Sequence, residues 1–520
     1  MSRNILQGKE GRHWFRAVGM VGLLALFYFA SGPVNRTEAE DAYEYAWRLE
    51  NESGMALLDA HHLLFLPLAK VVSTVVPHAR ALGVLGFIGS VATALMLYCF
   101  YRVLHSQLGV RPRDALVASL VPGVSYGVWR YAAEAEIYAL SGMFAVWLLA
   151  VAIKSDGRIG SPVVSAIIAA MGSCIHIMNV LPAFAVGVVC LCRKQWRGAV
   201  VYGMAYVIVL LAVVGVLVAL GWDAEGMHDV SQFAYEGSLF SPRSYPRAVV
   251  GIGSGVLSSQ FVFAWETVGH WIAQAFPGMG IAEEMFFGKV LGMRLAVIGT
   301  ATLVACFVSA IGLAFKSIKG WRLPEKHGSS ATLAAVAGLW LLLYALIVFR
   351  YDPAAPEFWI QAIPAIFLFI FSLQSMGGRF PHLRAAFVLF LVCMLLHNGL
   401  VGMLPLKRAD ADYNAVKASP LLARVEADDL VLSSGSWIFY QYLRYHCPCD
   451  VVYLFAVDAS ADLECRIAGV QGQVYGFDDL GNPPSSLMLR YPEQGNWARK
   501  MGLELRDNSS ITIVQRMELD

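Results

Sequence analysis

The chain is 520 residues long, 57% hydrophobic and only 15% charged, with 39 Lys and Arg against 38 Asp and Glu. Soluble proteins carry about 25% charged residues, so a chain this apolar cannot cover itself with a polar surface. Its near-neutral balance also argues against a nucleic-acid partner, which favours a basic face. Runs of about 20 apolar residues recur along most of the chain, each long enough to cross a bilayer. The pattern is that of a polytopic membrane protein.

Arg3, Lys9, Arg12 and Arg16 precede the first apolar run, 18–30. No small-residue cleavage site stands before Asn35, so the run reads as an uncleaved first span that starts in the cytoplasm. Further spans are expected at 81–101, 114–129, 135–153, 161–177, 179–192, 199–221, 289–315, 330–349, 358–375 and 385–404, about eleven in all. The stretch 161–192 reads either as two short spans or as one long tilted helix. Inner loops hold Arg102, Arg111 and Arg113; Lys154 and Arg158; Arg193, Lys194 and Arg197; Lys316, Lys319, Arg322 and Lys326; Arg379 and Arg384. Short outer turns hold few cations, as the positive-inside rule requires.

Two outer loops are long, 32–80 and 222–288. The second contains a Gly-rich stretch, 248–272, that reads as an interfacial or re-entrant segment. The tail, 405–520, is less apolar. It shows strand-like runs at Leu430–Ser433, 451–455 and Ile511–Val514, and a helical run at 438–445. A membrane module over 1–404 followed by a small extracytoplasmic α/β domain over 405–520 is the expected organisation, without internal repeats. Six cysteines (Cys99, Cys174, Cys190, Cys192, Cys306, Cys393) lie in or beside apolar runs and read as small core residues. In an oxidising compartment, Cys465 of the tail could pair with Cys447 or Cys449.

Acids at a membrane surface are costly and ask for a reason. The first outer loop reads Thr37-Glu38-Ala39-Glu40-Asp41-Ala42-Tyr43-Glu44-Tyr45-Ala46. Helical spacing puts Glu38, Asp41 and Glu44 or Tyr45 on one face, where crowded carboxylates hold a metal or raise one pKa, or simply form a solvated face. Next comes Asp59-Ala60-His61-His62-Leu63, whose histidines suit a phosphate, a metal or a carboxylate, or interfacial packing. The turn Arg130-Tyr131-Ala132-Ala133-Glu134-Ala135-Glu136-Ile137-Tyr138 sends Glu136 into an apolar helix, with Arg130 placed to pair with Glu134. A later turn holds Arg350, Tyr351, Glu357 and Trp359. There Arg350 suits a phosphate and Trp359 a sugar face or a membrane anchor.

In their order and in the side of the membrane they share, these motifs resemble the GT-C superfamily of membrane glycosyltransferases, in its protein O-mannosyltransferase-like branch. Asp41-Ala42-Tyr43-Glu44 is similar to that branch's Asp-x-x-Glu. His62, Pro67 and Leu68 match part of its His-Pro-Pro-Gly-x-Pro-Leu. Ala135-Glu136-Ile137-Tyr138-Ala139-Leu140 matches its Ala-Glu-(apolar)-Tyr-Ala-Leu. Glu357-Phe358-Trp359 with Pro364 is similar to a late lumenal motif.

The resemblance implies a mainly α, GT-C-type helical bundle that inverts a sugar from a polyprenyl-phosphate donor onto a protein, glycan or lipid acceptor outside the membrane. Such a donor needs an apolar groove for its tail and a polar site for its head. Asp41 is then the expected base. Glu44 and Glu136 would orient the acceptor or share a divalent metal ion with Asp41. His62 and Arg350 would meet the phosphate, with His61, Arg130, Tyr131, Glu134, Tyr351, Glu357 and Trp359 as further substrate contacts. A bacterial inner membrane with the tail in the periplasm is preferred to an endoplasmic-reticulum setting. The competing class is a transporter or flippase of lipid-linked or amphiphilic solutes. It would place its polar residues near the bilayer midplane, where His176, Asn179, His397 and Asn398 read as interhelical hydrogen-bonding groups.

Overall fold

The computed structural model describes residues 2–514 apart from 37, 38, 40, 60, 223–243, 276–280, 319–327, 351, 352, 354, 377–379, 457–459, 491 and 508–510. Glu38, Tyr351, part of the second outer loop and the cations Lys319, Arg322, Lys326 and Arg379 therefore lie outside the described residues. Chain contacts divide the protein into two bodies, Met1–Gly32 with Asn51–Ser259 and Thr300–Met403, and Pro33–Glu50 with Gln260–Gly299 and Leu404–Asp520.

Among the described residues of the chain, six helical segments are long and apolar enough to cross a bilayer: Ala81–Gln107, Trp196–Ala219, Ala282–Ser317, Ser329–Arg350, Pro356–Met376 and Arg384–Lys407. In Trp196–Ala219, Met204 (61% exposed), Ile208 (61%) and Leu211 (66%) are left uncovered by protein. Large apolar side chains bare over a whole helix are what lipid, not water, solvates. The stretch 161–192 resolves as two helices, Pro162–Ile175 and Val180–Cys192. His176 between them is extended, φ −151° and ψ 126°, so a single tilted helix is excluded.

Polar side chains repair the backbone where the first body's helices break. Asn398 opens a π-type turn, Asn398–Met403. Its amide donates to the Val124 and Val256 carbonyls at 2.7 and 2.9 Å, and its oxygen accepts from the Ser258 N–H at 2.9 Å. His397 joins Thr302 Oγ1 at 2.8 Å and the Ser258 carbonyl at 2.9 Å. The interhelical bonding expected of His397 and Asn398 is present. The Gly-rich stretch begins as the helix Ser244–Val256. A Cβ at Gly251 would lie 2.4 Å from the Pro353 carbonyl and 2.7 Å from the Trp359 indole nitrogen, so only glycine admits the 353–359 turn this closely.

In the second body the tail folds round four short parallel strands, β1 Leu430–Ser433, β2 Asp450–Tyr453, β3 Val474–Phe477 and β4 Ile511–Val514, in the order β2-β1-β3-β4. Leu430, Leu432, Val452, Val474, Leu463 and Leu505 share its core. The expected α/β character holds. β3 was the strand without a sequence signal, because Gly476 interrupts its apolar run; a Cβ there would press on Leu480 at 2.8 Å.

The start of the first outer loop belongs to this body. The Val34 and Asn35 N–H groups donate to the Leu406 carbonyl at 2.8 and 2.9 Å. The Asn35 side chain donates to the Ala411 carbonyl at 2.8 Å.

Candidate functional site

Two glycines position the motif turn at 130–138 in the first body. Gly86 and Gly89 lie on the helix Ala81–Arg102, and a Cβ on them would come within 2.7 Å of the Ala133 carbonyl and 2.8 Å of the Ala132 carbonyl. Ser90, on the same helix, donates to the Ala132 carbonyl at 3.0 Å. The turn is clamped against the bare backbone of that helix, and every residue from 131 to 140 is buried. Arg130 and Glu134 are both 0% exposed and approach at 3.7 Å, with Arg130 also donating to the Tyr126 hydroxyl at 3.0 Å. The pairing expected from their spacing is formed. Glu136, 2% exposed, is buried in the same turn.

Histidines from two further segments join this turn. The His61 and His62 rings are 6.1 Å apart, His62 and His176 4.8 Å, His176 and Tyr138 5.9 Å, and Tyr138 and Tyr131 5.9 Å. Main-chain bonds fix the first step: the Ile177 N–H donates to the His61 carbonyl at 3.1 Å and the Leu64 N–H to the Cys174 carbonyl at 2.9 Å. Asp59 accepts from the His61 N–H at 2.8 Å and lies 3.5 Å from its ring. Burial works to raise the Asp59 carboxyl, but the His61 hydrogen bonds and the nearby His62 charge outweigh it and hold the group well below the ordinary carboxylate range. The His176 Nδ1 accepts from the Met178 N–H at 3.1 Å.

The late turn supplies Glu357, which accepts from the Tyr131 hydroxyl at 3.1 Å. Four segments far apart in the chain thus meet in one polar series running from Asp59 through His61, His62, His176, Tyr138 and Tyr131 to Glu357. Trp359 is buried at 2% exposure, and its indole N–H donates to the Pro353 carbonyl at 3.0 Å. Arg350 lies exposed at the end of the helix Ser329–Arg350.

The acids Asp41, Glu44 and Glu50 are in the second body. Asp41 precedes the helix Ala42–Asn51 and accepts from the Tyr45 hydroxyl at 3.2 Å. Glu44 accepts from the Gln441 amide at 3.2 Å, and Glu50 from the Tyr445 hydroxyl at 3.0 Å. Tyr43 packs its ring against Tyr442, Tyr445 and His446, and Arg444 lies 3.5 Å from the Trp47 ring centre. This aromatic seam fixes the loop helix on the tail helix Trp437–His446.

Charge separates what the first-body residues can do. Arg130 pairs with Glu134, and Glu136 and Glu357 add two further buried carboxylates, so this end suits hydroxyl groups or a cation better than a phosphate. The histidine end lacks that excess of carboxylates. A divalent metal does not fit well: among the described residues no group of three His, Cys, Asp or Glu side chains is placed to hold an ion. Glu134 and Glu357 are also already engaged by Arg130 and Tyr131.

Sequence reasoning missed His176 as a partner of His62. Its neighbours in the chain are apolar, and only the helix break brings it to the pair. Tyr138 was legible as part of the motif but not as the link between histidines and acids.

No protein-family model matches the sequence, and no curated protein does either. Among solved structures the chain is similar to ArnT from Cupriavidus metallidurans bound to undecaprenyl phosphate, with a TM-score of 0.53 at 11% identity over 87% of each chain. The apo structure of the same protein aligns at a TM-score of 0.41, 13% identical over 88% of each chain. What the first likeness establishes is architecture: this is a membrane-embedded, mainly helical chain with the GT-C-type fold and a small C-terminal α/β region.

Proposed function

We propose that this protein is a polyprenyl-phosphate-dependent membrane glycosyltransferase that transfers sugar, with inversion, to an acceptor on the extracytoplasmic side. The observation that carries the reading is the meeting of His61 and His62, the 130–138 turn and Glu357 in one polar cluster. These are the segments that the motif resemblance had marked separately. The GT-C fold supports it, as does the undecaprenyl phosphate held by the ArnT structure, a carrier of the expected chemical class.

In this reading the histidine end, with Arg350, takes the phosphate of the donor, and the acidic end orients hydroxyls. The acceptor oxygen attacks the anomeric carbon as the bond to the carrier phosphate breaks. Asp41 takes the hydroxyl proton and Glu44, anchored by Gln441, orients the acceptor. Cationic and N–H groups stabilise the leaving phosphate. The branch, the sugar and the acceptor are parts of the proposal, as are a cytoplasmic N-terminus and a bacterial inner-membrane setting with the tail in the periplasm.

The test is turnover of radiolabelled undecaprenyl-phosphate sugars by the purified protein in lipid vesicles. Release of undecaprenyl phosphate is expected, with a loss of about 10²–10⁴ in rate for Asp41→Asn. Transmembrane movement of the lipid-linked sugar without cleavage would select the flippase instead. Near-normal transfer by Asp41→Asn would remove that residue from the chemistry.

A further inference from the structure

The tail sheet reverses direction between β1 and β3: from β1 the chain goes to β2 on one side, then crosses to β3 and β4 on the other. The crevice beyond the carboxyl ends of strands at such a reversal is where open parallel sheets bind ligands. Here that place holds Ser434, Gly435 and Ser436 after β1, and Asp478 and Asp479 after β3.

Gly435 joins two different surfaces. On one side a Cβ at Gly435 would lie 3.1 Å from Asp479 Oδ2 and 3.7 Å from Lys417 Nζ, which pair at 2.7 Å while remaining 15% and 13% exposed. On the other, the Gly435 carbonyl accepts from the Tyr453 hydroxyl at 3.3 Å. Tyr453 stacks on Tyr440 at 4.9 Å and meets Trp437 edge-on at 5.5 Å. Trp437 is exposed. An aromatic platform and an ion pair therefore flank one glycine.

The polar atoms around this crevice are short of partners. Among the described residues, Asp479 Oδ1, the Ser433 hydroxyl and both polar side-chain atoms of Asn414 have no hydrogen-bond partner. Asn414, 1% exposed, lies one turn before Lys417 on the helix Tyr413–Leu422, on the same face. Unsatisfied buried groups of this kind call for a missing partner. Asp479 Oδ1 needs a donor, and Asn414 needs both a donor and an acceptor. A phosphate supplies acceptors only and would meet Asp479 and, through its bond to Ser436, Glu283. A sugar supplies both kinds of group from its hydroxyls and an apolar ring face for tryptophan.

We propose that this crevice is a saccharide-binding site, with Trp437 and Tyr440 stacking on a sugar ring and Lys417 and Asp479 holding its hydroxyls. Its role rests on the glycosyltransferase reading, in which the bound sugar is part of a glycan acceptor.

The experiment is saturation-transfer NMR on the full-length protein in a sugar-free zwitterionic detergent. The probes are methyl glycosides of mannose, galactose, arabinose and N-acetylglucosamine. Aromatic protons of the wild type should saturate the ring protons of at least one probe. Trp437→Ala and Asp479→Asn should each weaken binding at least tenfold, and Trp437→Tyr should restore most of it. If Trp437→Ala does not elute as a monodisperse species, Asp479→Asn and Lys417→Met carry the comparison.

Absence of transfer to every probe, or transfer that survives both Trp437→Ala and Asp479→Asn, overturns the proposal. So does quenching by brominated lipids that disappears in Trp437→Phe, because Trp437 would then be a bilayer anchor. Saccharide binding without any donor turnover would refute the transferase reading and leave this site standing. Turnover without saccharide binding would do the reverse.

Discussion

The Tyr131 hydroxyl donates to Glu357 Oε2 at 3.1 Å, joining segments 226 residues apart. Both residues are buried, at 1% and 5% exposure, so the bond forms away from bulk water, where a lost donor is expensive. Tyr131→Phe should lower stability by about 1–3 kcal/mol, read as a fall in the thermal midpoint in detergent. Combined with Glu357→Gln, the two effects should fall short of additivity by at least about 0.5 kcal/mol. Full additivity would mean that the two turns are not energetically joined through this contact.

The glycine contacts on the helix Ala81–Arg102 make a sharper comparison, because they have an internal control. Gly86→Ala places a Cβ against the Ala133 carbonyl, a backbone atom that cannot swing aside, and should cost about 1–3 kcal/mol. Gly83→Ala, on the same helix with nothing within 4 Å, should be neutral or gain up to about 1 kcal/mol. Equal effects of the two changes in a thermal melt would contradict the close docking of the turn.

Cys447 and Cys449 stand two residues apart, both partly exposed. A hydrogen bond between them splits their acidities: accepting it lowers the Cys449 thiol below its ordinary value, while donating it, together with burial, raises Cys447. Only a thiolate alkylates quickly. Brief iodoacetamide treatment at neutral pH should therefore label Cys449 several-fold faster than Cys447, measured by peptide mass spectrometry. Cys447→Ser should change the Cys449 rate. Preferential labelling of Cys447 would reverse the assignment.

Much of this molecule is written locally in its sequence. Lipid solvation demands long apolar runs, so the helices at Trp196–Ala219 and Ser329–Arg350 are visible from composition alone. Strands of continuous branched and apolar residues, such as Leu430–Ser433, are equally plain, whereas β3 is not, since Gly476 erases its pattern. The pairing of Arg130 with Glu134 follows from their closeness within one turn. The partners of His62 and Glu357 do not, because they lie on segments more than a hundred residues away and are chosen by packing. His176 reaches His62 only because the chain breaks at that point into an extended residue, and Tyr131 reaches Glu357 only because Gly86 and Gly89 leave room for the turn that carries it. Apolar run length, a local property, marks the segments long enough to cross a membrane, and residue type marks the candidates for chemistry. Side-chain volume and close backbone approach, which exist only in three dimensions, decided which of those residues meet.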